Sequence, residues 1–226
     1  MTESREQLLA VKHRIEKSAM IVGRSSHDVK LVAVSKTFDS LDIEPILESG
    51  QRVFGENRVQ EAQKKWPQLR MRYTDIELHL IGPLQSNKVA DAVALFDVIQ
   101  TVDRPKLVSA LAQELKKQDA KTKFLVQVNT GREIQKAGIL PENFETFMIE
   151  AKLQLGEKLV GLMCIPPVED DPRPHFSMLR NMAEMQKLSV LSMGMSSDFE
   201  QAIAEGANWV RVGSAIFGTR PKLIPS

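Results

Sequence analysis

The spacing of hydrophobic positions changes along this chain. Over residues 3–23 they recur every three to four positions, with Leu8, Leu9, Val11, Ile15 and Met20 forming an apolar side. That period predicts an amphipathic helix. From Leu31 onward, short apolar runs alternate with longer mixed segments. The runs predict strands at Leu31–Ser35, Arg52–Gly55, Glu77–Ile81, Val98–Val102, Lys123–Asn129, Leu159–Cys164, Val190–Met193 and Trp209–Val212. Several are continuously apolar, as in a parallel sheet covered by helices. Helical periodicity follows each run, over 39–49, 57–66, 86–95, 104–119, 141–154, 173–187 and 197–205, with a short segment from 214.

Eight strand–helix units between residues 31 and 212 average about 23 residues each, room for a strand, a helix and two short loops. The pattern predicts a compact (β/α)8 TIM barrel with an extra N-terminal helix, with residues 1–226 as a single domain. An open doubly wound sheet shows the same alternation, because eight strands do not by themselves close. The proline-rich stretch Pro166–Pro174 is expected to be the longest loop, after the sixth strand.

Composition narrows the class. The chain has 226 residues, 42% of them hydrophobic, enough for one sizeable core. Thirty lysines and arginines against 29 acids leave a net charge of +1, which gives no sign of a nucleic-acid or membrane surface. Cys164 is the single cysteine, so no intrachain disulfide can form, as in a reducing cytosol. The first residues, Met1 to Gln7, are polar with no signal-peptide core behind them, and no apolar run approaches membrane-spanning length. A cytoplasmic protein is expected.

In such a barrel, chemistry collects at the carboxyl ends of the strands. Those ends carry Lys36; Glu56 and Asn57; Gly82 and Gln85; Thr101; Asn129 and Thr130; Cys164 and Pro166; Met193 to Ser197; and Arg211, Gly213 and Ser214. No Cys/His spacing matches a zinc site. A lysine after a buried strand loses its proton more readily than one on the surface, as a Schiff-base lysine requires. Ser196 and Ser197 after strand seven, and Gly213 and Ser214 after strand eight, place hydroxyls and free backbone N–H groups where such barrels cradle phosphate. Each residue also has a structural reading. Ser197 with Glu200 fits a helix capping box, Asn57 a helix cap, Arg211 and Lys36 ion pairs, His79 a hydrogen-bonded core residue and Cys164 a small buried hydrophobe. The combination favours function: the lysine of strand one would face the phosphate donors of strands seven and eight across the barrel mouth.

The motifs Leu31-Val32-Ala33-Val34-Ser35-Lys36-Thr37, Phe54-Gly55-Glu56-Asn57, His79-Leu80-Ile81-Gly82-Pro83-Leu84-Gln85-Ser86-Asn87-Lys88, Gly161-Leu162-Met163, Leu191-Ser192-Met193-Gly194-Met195-Ser196 and Val210-Arg211-Val212-Gly213-Ser214-Ala215-Ile216-Phe217-Gly218 carry a resemblance. From about Ser4 to Arg220 the chain resembles the pyridoxal phosphate homeostasis proteins, whose barrel is similar to the N-terminal domain of alanine racemase. The resemblance implies that Lys36 holds pyridoxal 5'-phosphate as a Schiff base. It also implies that Ser196, Ser197, Gly213 and Ser214 hold the phosphate, that Arg211 faces the pyridine nitrogen and that Asn57 lies near the ring. The implied role is binding and buffering of the cofactor in vitamin B6 and amino-acid homeostasis, with pyridoxal-phosphate-dependent apo-enzymes as recipients. The alternative is an amino-acid racemase of low activity. Alanine racemase takes its second base from a tyrosine on an additional domain of a partner subunit, whereas this chain has one tyrosine, Tyr73, before strand three. A carrier, monomeric for want of that second domain, is therefore the expectation.

Overall fold

The computed structural model describes residues 3–218, so Met1, Thr2 and the expected family match beyond Gly218 lie outside the described residues. Eight strands close into a barrel in chain order. They are β1 (Lys30–Val34), β2 (Val53–Glu56), β3 (Glu77–Leu80), β4 (Val98–Val102), β5 (Lys123–Val128), β6 (Leu159–Cys164), β7 (Val190–Ser192) and β8 (Trp209–Val212). All neighbours are parallel, and β8 returns to β1 with Leu31 opposite Val210 and Ala33 opposite Val212. This pairing removes the open-sheet alternative, since an open sheet would leave both edge strands unpaired.

The helices are α1 (Glu3–Ile21), α2 (Ser40–Glu48), α3 (Val59–Arg72), α4 (Val89–Leu95), α5 (Pro105–Gln118), α6 (Phe144–Leu155), α7 (Pro172–Met185), α8 (Phe199–Ala204) and α9 (Ser214–Phe217). Local chemistry sets several starts. Asp39 and Asp42 form a reciprocal capping box on α2, and Asp171 caps α7 ahead of Pro172. The extra helix α1 packs against α2, α8 and α9, over the region where β8 meets β1. Arg14 reaches Glu200 at 2.9 Å, and Arg24 donates to the Ile203 and Ala207 carbonyls at 2.9 and 2.8 Å.

Three expectations change. The buried stripe of α1 is Leu8, Val11, Ile15 and Ala19, whereas Leu9 and Met20 are exposed. The stripe follows the helical period from Leu8, and hydrophobicity alone put two outward residues on it. Next, α3 does not stop before Pro67 but runs on to Arg72. The proline forfeits one helical hydrogen bond, yet Trp66 and Leu69 on either side are buried against the core and hold the helix together. Last, the longest irregular connection is 129–140 after β5, not the proline-rich stretch, in which α7 begins at Pro172. The 129–140 loop is organised by Asn129, whose Nδ2 donates to the Glu133 carbonyl at 2.8 Å while its Oδ1 accepts from the Glu133 N–H at 3.2 Å.

Alternation along the strands divides the core in two. Outward residues such as Leu31, Phe54, Leu78, Phe124 and Val210 join the helices in one large apolar core. Inward Val98, Leu125, Met163 and Trp209 make a small separate cluster inside the barrel. His79, Gln100, Ser192 and Arg211, all buried, bring polar groups into the same interior. The barrel is apolar where it meets its helices and partly polar along its axis.

Candidate functional site

The strand β1 ends at Val34, and Lys36 follows in a tight turn rather than on the strand itself. Thr37 adopts a left-handed conformation with φ 72°, which costs strain for a β-branched residue unless its surroundings over-determine it. They do. The Thr37 N–H donates to Glu61 Oε1, and Lys65 Nζ donates to the Ser35 and Phe38 carbonyls at 3.0 and 2.8 Å. Lys65 is buried with Glu56, 2.9 Å away, and Glu56 Oε1 also accepts from Ser35 Oγ at 2.6 Å and Trp66 Nε1 at 3.0 Å. Burial pushes the Glu56 carboxyl above its ordinary value, against the opposing pull of Lys65 and these donors. The turn that carries Lys36 is thus clamped from behind by α3.

At the end of β2, the backbone of Asn57 crosses directly over Gly82. A Cβ on Gly82 would lie 2.2 Å from the Asn57 carbonyl oxygen, so only glycine lets these two strand ends approach. The helix cap expected of Asn57 is absent: the residue before α3 is Arg58, with no side-chain cap bond, and Asn57 Oδ1 is buried without a hydrogen-bond partner. A buried acceptor left this way has its desolvation uncompensated.

After β7, Gly194 turns the chain with φ 92°, and a Cβ there would lie 2.6 Å from Ala202 Cβ. The capping box expected of Ser197 and Glu200 is also absent. Asp198 precedes α8 and accepts the Met195 N–H at 2.6 Å, while Glu200 pairs with Arg14. That leaves Ser196 and Ser197 free of capping duty. Ser196 Oγ accepts long bonds from the backbone N–H groups of Gly213 (3.3 Å) and Ala215 (3.4 Å), so those two donors converge on one point. Phe38 of the first loop stacks on Phe217 of α9 with ring centroids 5.0 Å apart, joining the two ends of the site.

Arg211 is 3% exposed, and among the described residues it has no carboxylate ion pair. Its Nη1 donates to Ser192 Oγ and its Nη2 to the Cys164 carbonyl, both at 2.8 Å. Burial lowers its pKa, but a guanidinium stays charged at any physiological pH. Cys164 is no counter-ion: burial pushes its thiol up to about 12, with Arg211 opposing only in part. The readings of Cys164 as a buried hydrophobe and of His79 as a bonded core residue both hold, since each is fully buried and His79 is bonded through both ring nitrogens.

Lys36, Asn57, Ser196, Ser197, Arg211, Gly213 and Ser214 all line one cavity of about 330 Å³ at the carboxyl ends of the strands, beside Ile81, Ile165 and Met195. Ser197 and Ser214 sit at its exposed rim and Arg211 at its buried floor. A larger cleft of about 600 Å³ opens at the opposite end, near Lys30, Arg70, Glu77 and Trp209, and contains none of these residues. Tyr73 caps the end of α3 with its ring 5.5 Å from the Arg52 guanidinium and 5.6 Å from that of Arg72, where the strands begin rather than end. Among the described residues no group of three His, Cys, Asp or Glu could hold a metal ion, and no helix is long and apolar enough to cross a membrane. Sequence reasoning missed the partners of Arg211 and His79 inside the barrel, Ser192, Gln100 and Glu77. Their signal was a polar side chain within an otherwise apolar run.

The sequence profile of the family described as alanine racemase, N-terminal domain, matches residues 7–221. The pyridoxal phosphate homeostasis protein of Aquifex aeolicus is 40% identical over 225 residues, covering 95% of this chain and 97% of that one. The structure of PipY from Synechococcus elongatus with PLP bound superposes with a TM-score of 0.83 at 34% identity, over 96% of this chain and 100% of that one. Alanine racemase from Clostridium difficile shares the fold, with a TM-score of 0.68 at 14% identity over 94% of this chain and 57% of its own.

Proposed function

The chain belongs to the pyridoxal phosphate homeostasis proteins, within the alanine racemase N-terminal domain family, and from that membership we propose that it binds pyridoxal 5'-phosphate at the barrel mouth, as a Schiff base on Lys36. The observation that carries this reading is the convergence of seven expected residues on one cavity of strand ends. The donor set suits the group. Ser196, Ser197 and Ser214 offer hydroxyls, and Gly213 and Ala215 offer backbone N–H groups that now converge on Ser196 Oγ, a place a phosphate oxygen can take. Asn57 Oδ1, buried and unpartnered, lines the same cavity and would be available beside the ring. Bound there, the cofactor supplies an aldehyde for an amine and an electron-withdrawing ring.

Arg211 sets the limit on chemistry. A cation at the ring nitrogen disfavours its protonation, and an unprotonated ring is a poorer electron sink. The site therefore holds the cofactor without committing it to broad carbanion chemistry. The protein acts as a single cytoplasmic, monomeric barrel that buffers pyridoxal phosphate for dependent apo-enzymes and so affects vitamin B6 and amino-acid homeostasis. The racemase reading finds less support, because Tyr73 lies at the other end of the barrel.

The test is direct. Purified protein is mixed with the cofactor, its visible spectrum recorded, the sample reduced with borohydride and the adduct mapped by mass spectrometry. A pyridoxyl group on Lys36 is expected; a colourless, unmodified protein overturns the reading. Exchange of an amino-acid α-proton at enzyme-like rates, abolished in Lys36→Ala, would replace the carrier with the racemase.

A further inference from the structure

The guanidinium of Arg211 is buried with no carboxylate in contact, an arrangement that is costly unless its charge is answered elsewhere. Hydrogen bonds of the barrel interior satisfy its donors and continue as a thread. Arg211 Nη1 donates to Ser192 Oγ at 2.8 Å. Ser192 Oγ lies 2.6 Å from Gln100 Oε1, and Gln100 Nε2 lies 2.7 Å from His79 Nδ1. His79 Nε2 lies 2.6 Å from Glu77 Oε1, and Glu77 closes an ion pair with Lys30 at 2.9 Å. Arg211, Ser192, Gln100, His79 and Glu77 come from β8, β7, β4 and β3, and Lys30 from β1. They run from the floor of the mouth cavity to the lining of the cleft at the other end.

The two ends fix the direction of every link. An arginine only donates and an ionised carboxylate only accepts. The Ser192 hydroxyl, having accepted from Arg211, turns its hydrogen to the Gln100 carbonyl. The Gln100 amide then gives a hydrogen to His79 Nδ1. His79 must be neutral, with its proton on Nε2 directed at Glu77. A second proton on His79 would face the Gln100 amide with a donor and force it to turn over. Ser192 Oγ would then meet two donors with no acceptor for its own hydrogen. Burial lowers the His79 pKa, in keeping with a neutral ring, although Glu77 opposes it. Partial burial would raise the Glu77 carboxyl, but bonds from His79 and Lys30 outweigh it and hold it at about 2. Other charges near the thread are Lys30 and Asp97 by His79, and Asp198 by Arg211.

We propose that Ser192, Gln100, His79 and Glu77 are positioning residues that hold Arg211 as a cation without a contact ion pair at the cavity floor, through a hydrogen-bond thread anchored by the Glu77–Lys30 pair at the far end of the barrel. The consequence for the site rests on the pyridoxal phosphate reading above, but the thread itself does not. Glu77 is already paired with Lys30 and no carboxylate bonds Arg211, so the guanidinium stays positive toward the cavity, and the aligned dipoles of the thread keep it aimed there. The Ser192 hydroxyl and the Cys164 carbonyl stand at Arg211 where a carboxylate would neutralise it.

The test uses the full chain. In the unloaded protein, nitrogen NMR of its four histidines should find His79 neutral and protonated on Nε2 from pH 5 to 8. Titration of His79 near 6.5, or a proton on Nδ1, overturns the proposal whether or not the cofactor binds and whether or not any variant folds. In the loaded protein, His79→Leu and Gln100→Leu should weaken cofactor binding about tenfold or more, the scale on which partners behind a ligating residue act. They should also shift the pH profile of the cofactor's visible band. His79→Gln keeps one acceptor and one donor and should restore both towards the parent. Folded leucine variants that bind and titrate as the parent does overturn the proposal. A parent that binds no cofactor refutes the function proposed above and leaves the NMR result to decide the thread.

Discussion

Two buried polar systems serve the two ends of the candidate site, and they treat charge in opposite ways. Behind Lys36, the charges touch: Lys65 lies 2.9 Å from Glu56 and 3.1 Å from Glu61 and ties down the Ser35 and Phe38 carbonyls. Beneath Arg211, cation and carboxylate are separated by Ser192, Gln100 and His79. Contact pairing spends the charge on fixing a backbone turn. Separation leaves the charge available at the cavity. The same barrel thus uses one cation as a clamp and another as a fixture of the site, and geometry alone decides which is which.

The comparison predicts a ranking. Lys65→Met should be the most damaging change, because it leaves Glu56 buried without its cation and costs about 3–5 kcal/mol. Denaturant unfolding measures it, and the double variant Lys65→Met/Glu56→Gln should recover part of the loss. Strictly additive losses would mean that the pair is not coupled. Arg211→Met should cost less, about 1–3 kcal/mol for the Ser192 and Cys164 acceptors left without donors, since no carboxylate is stranded beside it. Equal losses for the two variants would erase the distinction between clamp and fixture.

A smaller effect has opposite signs in the two systems. An acid held below its ordinary value stabilises the fold when ionised, so the Glu77 contribution is complete above pH 4.5 and fades as pH falls toward 2. An acid held above its ordinary value contributes most when protonated, so the Glu56 contribution is complete below pH 4.5 and fades as pH rises through its elevated pKa. Stability measured across pH should therefore lose its acid limb below 4.5 in Glu77→Gln. In Glu56→Gln it should lose the decline that begins above 4.5. The same slope in both variants would show that the two carboxylates are not set differently. The smallest signal is a silence. Cys164, buried with its thiol at about 12, should resist alkylation at pH 8 in the folded protein and react only on unfolding.

The barrel was legible because a parallel strand buried on both faces writes an apolar run, and eight such runs were visible. The mouth residues were legible because they stand where those runs end. The clamp and the thread were not. Glu61 and Lys65 look like surface charges of an amphipathic helix, and only the fold shows them reaching the turn after β1. Gln100 and Ser192 are single polar residues in apolar strands, and their partnership depends on register and closure that pair positions 92 apart in the chain. The capping roles suggested for Asn57 and for Ser197 with Glu200 failed for a related reason. A cap can be inferred from local spacing, yet Arg14, far away in α1, takes Glu200 instead.

The Phe38–Phe217 stack closes the mouth between the first loop and the last described helix. During synthesis, Lys36 leaves the ribosome roughly 180 residues before Ser214, on the order of 10–35 s earlier at ordinary elongation rates. Through that interval the nascent chain carries Lys36 without the hydroxyl and N–H donors of the last two strand ends. The mouth cavity is thus complete only after the eighth strand end has been made, and the emerging polypeptide lacks it until then.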